Sequence, residues 1–354
     1  MKAKKKIMFF IQNGVGGAER MTVNIAKLLS EDEHDIFFCK VSLPYIVQNG
    51  RIDDFIPKGI KLINIAWTGQ IALIRQFYKV LKIYKPDVVY STVMPHNQRL
   101  LLLKPFFKNT RFVVRNDNYL FTISRLKRLA LKYTYKNADL IVAQTEEMKD
   151  ELEAIGLPAD KIRVLHNLID EDLITAKAQE PSPFPVDNIT RFVAVGRIAR
   201  QKGYDILIDA FKIVREKLPE SELYIIGNKE GSSRKLYSEL QDKVNSLDLN
   251  SKIHFVGYTD NPYRYIKNAS AYVLSSRFEG LPNVLIEAQF LKTPSAATKC
   301  IPIISRMIHD GENGFLAESE NPESLAEAMI KAIGITDVKT VYQPSSREDF
   351  ISIF

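Results

Sequence analysis

The stretch "RFVAVGRIARQKGYDILIDAF", residues 191–211, reads as a β-strand, a loop and an α-helix in succession. The unbroken apolar run from Phe192 to Val195 suits a strand buried on both faces, and a helix departs near Gly203. Strand-like runs of the same kind precede it: "KIMFFI", "DIFFCKV", "KLINIA", "DVVYS", "RFVVRN", "LIVAQT" and "IRVLH". Others follow it: "SELYIIGN", "KIHFVGY" and "AYVLSS". Segments between them, such as "MTVNIAKLLS" and "IALIRQFYKVLKIY", have the spacing of covering helices. This alternation specifies an α/β class with parallel sheets.

The rhythm lapses over "DEDLITAKAQEPSPFPVDNIT", residues 170–190, where Pro181, Pro183 and Pro185 discourage regular structure. We therefore expect a first domain over 1–170, a linker over 171–190, a second domain over 191–335 and a short tail over 336–354. A chain of 354 residues suits two domains, each able to bury its own core. Two sheets joined in this way would make a cleft, and ligands of open α/β sheets bind beyond the carboxyl ends of the strands.

Composition narrows the function classes. With 45% hydrophobic and 26% charged residues the chain is an ordinary globular one. Cys39 and Cys300 are the only cysteines, too few for a disulfide framework or a cysteine-rich metal site, and a reducing compartment follows. The apolar run "IMFFI" is too short for a signal peptide, and no stretch has the ~18 apolar residues of a membrane span. The expected location is cytoplasmic, peripheral on the inner face of the cell membrane. Through Glu180 the chain has 28 basic against 20 acidic residues, and beyond it 21 against 22, so the first half carries the whole net charge of +7. Such asymmetry points to an anionic partner for that half. No nucleic-acid-binding signature accompanies it. The segment "YLFTISRLKRLALKYTYKNA", residues 119–138, instead interleaves Arg125, Lys127, Arg128, Lys132 and Lys136 with leucines and aromatics, as a helix resting on an anionic membrane surface would.

Chemistry is expected in the loops that follow strands. "SSRFEGLPNVLIEA", residues 275–288, places Glu279 and Glu287 around a strand-to-helix turn that holds Gly280 and Pro282. Amide groups at the helix start could bind a diphosphate, while the carboxylates, which would repel it, suit the hydroxyls of a sugar or ribose. In residues 195–211, Arg197 and Lys202 flank a second helix start and could stabilise a leaving diphosphate. "NGVGGAER" follows the first strand with Gly14, Gly16 and Gly17, but its spacing is not that of a dinucleotide fingerprint and no ribose-binding acid follows the next strand. A dehydrogenase is thereby disfavoured. His96, in the loop after "DVVYS", and Arg115 and Asn116, after the next strand, lie at the same edge of the first sheet. "DED" at 170–172 could be taken for a metal motif, but it opens the linker, and acids there are ordinarily solvated.

Across nearly the whole chain these segments resemble the GT-B glycosyltransferases, specifically the retaining family GT4. Glu279 and Glu287 match the family's E-x7-E signature; Gly196, Arg197, Lys202 and Gly203 match its G-R-x4-K-G segment. "DGENGFL" at 310–316 and the glycine loop "NGVGGAER" match further elements. The resemblance implies two Rossmann-like domains facing a central cleft, with the donor nucleotide-sugar, commonly UDP-linked, in the second and the acceptor in the first. It implies that Glu279 contacts the donor sugar and Glu287 the ribose, and that Arg197 and Lys202 offset the diphosphate charge. Gly280, Leu281 and Asn283 would line the donor, and Gly16 and Gly17 would lie near its phosphate or the acceptor. His96 would face the reacting sugar, making it and Glu279 the catalytic candidates, with Arg115 and Asn116 on the acceptor side. Neither cofactor nor metal is implied.

Two departures stand out. Arg306 occupies the place of a family acid, and the chain ends at "SSREDFISIF" without the longer helix that in the family crosses back to the first domain. The expected function is retaining transfer of a sugar to a glycan or polyprenyl-linked acceptor, as in surface polysaccharide synthesis. The alternative is a catalytically silent GT-B-like protein that binds a nucleotide or a partner; an epimerase of the same fold fits the E-x7-E segment less well.

Overall fold

The computed structural model describes residues 4–14, 16–31, 34–42, 52–57, 59–228 and 234–354. The chain forms two compact units: Met1–Leu168 with Pro344–Phe354, and Ile169–Gln343.

In the first unit the elements run β1 (Lys6–Gln12), α1 (Gly17–Glu31), β2 (Asp35–Ser42), β3 (Lys61–Ala66), α2 (Gln70–Tyr84), β4 (Val88–Ser91), α3 (Met94–Leu103), β5 (Arg111–Asn116), α4 (Arg125–Tyr135), β6 (Leu140–Ala143), α5 (Glu146–Ala154) and β7 (Ile162–Val164). The strands form one sheet in the order β3-β2-β1-β4-β5-β6-β7, with every pair parallel. Central β1 shows why the run had to be apolar: Ile7, Met8, Phe9, Phe10 and Ile11 are all fully buried, because helices cover both faces.

The second unit begins with α6 (Glu171–Ala178) and continues β8 (Thr190–Val195), α7 (Tyr204–Lys217), β9 (Ser221–Ile226), α8 (Arg234–Ser246), β10 (Ile253–Gly257), α9 (Tyr263–Lys267), β11 (Ala271–Leu274), α10 (Asn283–Phe290), β12 (Ser295–Thr298), α11 (Ile304–Met307), β13 (Gly314–Ala317) and α12 (Pro322–Ala332). Its parallel sheet has the order β10-β9-β8-β11-β12-β13. The core contains Phe192, Leu207, Phe211, Val214, Leu223 and Met329. The α7 residues among these, with Leu207, Phe211 and Val214 at spacings of four and three, put one helix face on the sheet. Burying each such side chain is worth about 1.5–3 kcal/mol.

Both sheets reverse strand order once, between β1 and β4 and between β8 and β11. Loops leaving adjacent strands at such a point go to opposite faces of the sheet and open a crevice at its carboxyl edge. Strands β8 and β11 pair at Ala271↔Phe192 and Tyr272↔Val193, and the loops that follow them leave from this switch point.

Three features differ from the sequence reading. The segment 171–190 is not irregular throughout: α6 forms before the prolines, capped by the Asp170 side chain, which accepts from Leu173 N. That carboxylate of "DED" thus serves a helix terminus. Strands β12 ("SAAT") and β13 ("GFLA") carry too few branched or aromatic residues to stand out. Residues 344–354 return to the first unit through α13 (Arg347–Ile351), placing Phe350, Ile353 and Phe354 in its core. The crossing back therefore occurs, with one short helix.

Candidate functional site

The loop after β8 and the loop after β11 are joined backbone to backbone. A turn at Arg200–Lys202 ends at Gly203, which has φ 62° and precedes α7. A Cβ there would lie 2.0 Å from the Ser275 carbonyl oxygen, in the loop following β11. Only glycine allows both the left-handed backbone and this approach. Ser275 Oγ also donates to the Lys202 carbonyl at 2.8 Å. The Lys202 side chain then runs across Gly196, where a Cβ would stand 2.8 Å from its Cε. It ends on Glu279, with Nζ to Oε1 at 2.6 Å. Ser276 Oγ donates to the same oxygen at 2.5 Å.

Glu279 is 8% and Lys202 17% exposed, so this is a largely desolvated pair that needs both members. Both donors converge on Oε1. Among the described residues Oε2 receives no protein donor, so this oxygen is the one able to accept a ligand hydroxyl. The motif residues that the sequence reading treated as separate, a cation and an acid 77 positions apart, form one ion pair.

Arg277, which the sequence reading passed over, holds the two loops together. It is bidentate to Asp205 of α7 at 2.8 Å, donates to the Arg200 carbonyl at 2.8 Å and reaches Glu320 at 2.7 Å. Its amide donates to the Gln201 carbonyl at 2.7 Å, and Gln201 Nε2 donates to the Phe278 carbonyl at 2.9 Å. Arg277 lowers the Asp205 pKa, chiefly through these hydrogen bonds. No local pattern marks such a clamp.

Glu287 lies half-buried in α10, one turn from its start, with the Tyr263 hydroxyl 3.5 Å from its Oε1. Tyr272 is fully buried; burial first, with the Glu279 and Glu287 charges adding to it, holds its hydroxyl protonated. Asn283 opens α10, whose N-cap Pro282 offers no side-chain cap, and Gly280 and Leu281 precede it. Arg197 is exposed, with no ion pair among the described residues. The Cys300 thiol is pushed up to about 12, by burial first and the Glu279 charge second, so it stays protonated at neutral pH. In "DGENG", Asn313 is fully buried and closes a turn, accepting from His309 N and donating to the Met307 carbonyl, while a Cβ on Gly314 would meet the Ser295 carbonyl at 2.1 Å. That motif builds the β12–β13 edge. Arg306 is exposed on α11.

In the first unit, the carboxyl edges of β1, β4, β5 and β6 hold a buried polar layer. His96 is not in a loop: it lies in the first turn of α3, buried, with its ring edge-on to Phe77 at 5.8 Å. Burial, with the Arg99 charge second, lowers its pKa to about 3, and its Nδ1 has no hydrogen-bond partner. Arg115 and Asn116 do not follow β5 but end it, both buried. One Arg115 Nη hydrogen-bonds Asn167 Oδ1, while its Nε and other Nη have none. Its carbonyl accepts from Asn97 Nδ2 at 2.9 Å, and Asn97 donates also to the Tyr135 hydroxyl at 2.8 Å. Asn116 Nδ2 donates to the Asn118 carbonyl. Asn13, Tyr90, Ser91, Thr92 and Gln144 add further buried oxygens without partners. Asp117 beside them is raised to about 6 by burial, with Arg115 opposing. Gly16 and Gly17 sit where β1 turns into α1. The sequence reading missed Tyr90, Asn97 and Tyr135, because isolated polar residues in apolar strands and helices carry no periodic signal.

Comparison with known proteins accounts for both halves. The family model described as Glycosyltransferase Family 4 matches residues 15–173, and that described as Glycosyl transferases group 1 matches 177–347. An uncharacterized glycosyltransferase of Methanocaldococcus jannaschii is 35% identical over 248 residues, 64% of this chain and 60% of its own length. The N-acetylgalactosamine-N,N'-diacetylbacillosaminyl-diphospho-undecaprenol 4-alpha-N-acetylgalactosaminyltransferase of Campylobacter jejuni is 24% identical over 362 residues, 97% of this chain and 94% of its own. Among solved structures, Anabaena HepE in complex with UDP and glucose has a TM-score of 0.79 at 19% identity, over 94% of this chain and 92% of that one. With family sequence in each half and the same two-sheet architecture, this protein is a transferase that belongs to the GT-B glycosyltransferases of family GT4.

Proposed function

We propose that the chain moves a sugar from a nucleotide-sugar, UDP-linked, to a glycan or polyprenyl-linked acceptor with retention of anomeric configuration, as a step in surface polysaccharide synthesis. The observation that carries this reading is the Lys202–Glu279–Ser276 constellation, with Glu279 Oε2 left to accept a hydroxyl of the donor sugar. Lys202 and exposed Arg197, with the amide groups at the starts of α7 and α10, face the charge that grows on the diphosphate as the sugar leaves. Gly280, Leu281 and Asn283 line that end of the donor, and Glu287 accepts from the ribose. In the first unit, Gly16 and Gly17 would contact the donor phosphate or the acceptor, and Arg115 and Asn116 would support the acceptor side. The bond from the anomeric carbon to the diphosphate oxygen breaks, the acceptor oxygen bonds that carbon from the same face, and the acceptor's proton passes to the leaving phosphate. With a pKa of about 3, His96 is a poor proton acceptor at neutral pH and serves as a neutral hydrogen-bonding group instead. The relatives' names support the substrate classes: HepE is bound to UDP and glucose, and the Campylobacter enzyme's name includes diphospho-undecaprenol.

A panel of nucleotide-sugars screened by thermal stabilisation identifies the donor, since a ligand of the folded state raises Tm. With that donor, Glu279→Gln, which keeps shape and can still meet Ser276, loses about 10²–10³-fold in turnover. Tm also falls, because Lys202 is left desolvated without its counter-charge, so turnover is compared at a temperature where the variant is folded by circular dichroism. Turnover by Glu279→Gln equal to that of the natural chain would overturn the assignment.

A further inference from the structure

Helix α4 carries a face that no described residue of its own unit covers. It buries only Leu131, Thr134 and Tyr135. On the opposite side Leu126 is 79%, Leu129 60% and Tyr133 63% exposed, and Phe121, in the turn just before the helix, is 53% exposed. Leu126, Leu129 and Tyr133, at spacings of three and four, form a single stripe. Arg125, Arg128, Lys132 and Lys136, at i, i+3, i+7 and i+11, form a second row along its flank, with Lys127 on the other side. Lys136 Nζ lies 4.1 Å from the centre of the Tyr133 ring. No acid occurs between Asp117 and Asp139, and among the described residues none of the five cations is paired with a carboxylate. Glu151, which meets the turn before α4, has both carboxylate oxygens engaged by the amides of Leu120 and Phe121.

We propose that this face of α4 docks on an anionic lipid bilayer, the apolar stripe entering the interface and the cationic row meeting the phosphate headgroups. Charge complementarity selects that occupant. A second copy meeting the same face about a two-fold axis would set five unpaired cations against five. A nucleic acid would use the cations and leave the leucines in water. Among the described residues no helix is long and apolar enough to cross a membrane, so attachment through α4 is peripheral. The preceding segment leaves β5 at the edge that holds Arg115 and Asn116, so docking brings the headgroup plane beside the proposed acceptor side. The inference deepens the lipid-linked acceptor reading without depending on transfer, because vesicles without substrate test it.

The full chain is sedimented with vesicles of phosphatidylcholine alone and of phosphatidylcholine with phosphatidylglycerol. We expect binding to the anionic vesicles, weakened by salt, and little to the neutral ones. The double variants Leu126→Ser/Leu129→Ser and Arg125→Gln/Lys132→Gln each lower partitioning about tenfold, with circular dichroism and Tm unchanged because all four positions are exposed. Equal partitioning onto the two vesicle types, or variants that bind like the natural chain, would overturn the proposal. So would a chain that ignores vesicles and self-associates until Leu126→Ser/Leu129→Ser disperses it. Loss of transfer with vesicle binding intact would condemn the reaction and leave the surface standing.

Discussion

His96 shows that where a side chain lies and how it behaves are decided by different parts of the chain. Its position at the edge of the first sheet follows from the strand before it, but its burial against Phe77 does not, and burial decides its chemistry. Folded, the ring stays neutral until about pH 3; unfolded, it takes a proton near pH 6.5. Between these values the unfolded chain binds the extra proton, so stability falls as pH drops. We predict that the natural chain loses stability relative to His96→Leu by up to about 1.4 kcal/mol per pH unit below about pH 6.5, measured by urea denaturation. Parallel pH profiles for the two chains would show an accessible ring. The same contrast holds at Arg115: its charge was legible as a candidate, but that it lies fully buried on Asn167, 52 residues onward, was not.

Among elements, the β8–α7 and β11–α10 loops act as one body. Gly203 lets them touch, and Arg277 fastens the touching backbones to Asp205. A lost clamp would let Lys202 and Glu279 drift, and a misplacement of about 1 Å can cost 10²-fold in rate. Arg277→Gln should therefore lower turnover at saturating donor about 10–100-fold while donor KM changes little. Its stability cost depends on pH: Asp205 is held below its ordinary pKa, so the pair stabilises the fold above about pH 4 and ceases to as pH falls through the folded value. The gap between the natural chain and Arg277→Gln should be open at neutral pH and closed in strong acid, as read by denaturation. Lys202 and Glu279 were legible from motif spacing; Arg277 was not, because its meaning comes from carbonyls and a carboxylate on another element.

At the scale of the whole molecule, the first unit is completed by the other end of the chain. Phe354 packs on Phe9 at 5.8 Å and Tyr90 at 5.4 Å, and its carbonyl accepts from Lys5 Nζ at 2.6 Å. Ser346 and Asp349 cap α13 reciprocally, and Arg163 Nη1 donates to Ser352 Oγ at 2.7 Å. Phe350→Ala, which empties a fully buried site, should destabilise the first unit by about 3–5 kcal/mol. Hydrogen exchange mapped along the chain should show lost protection in β1 and β4 but not in β8 and β11. Equal loss in both sheets would mean that the units unfold together.

Alternation of apolar strands with helical segments was sufficient by itself for two parallel sheets, and the motif spacing for Lys202, Glu279 and their family. These signals are local: they come from side-chain periodicity within a few residues and from the loops that strands must enter. The buried or exposed state of each candidate, the clamp at Arg277, the return of Phe354 and the uncovered face of α4 belonged to tertiary structure alone. Each depends on which atoms far along the chain, protein or solvent, end up beside a side chain, and that proximity sets desolvation and pairing.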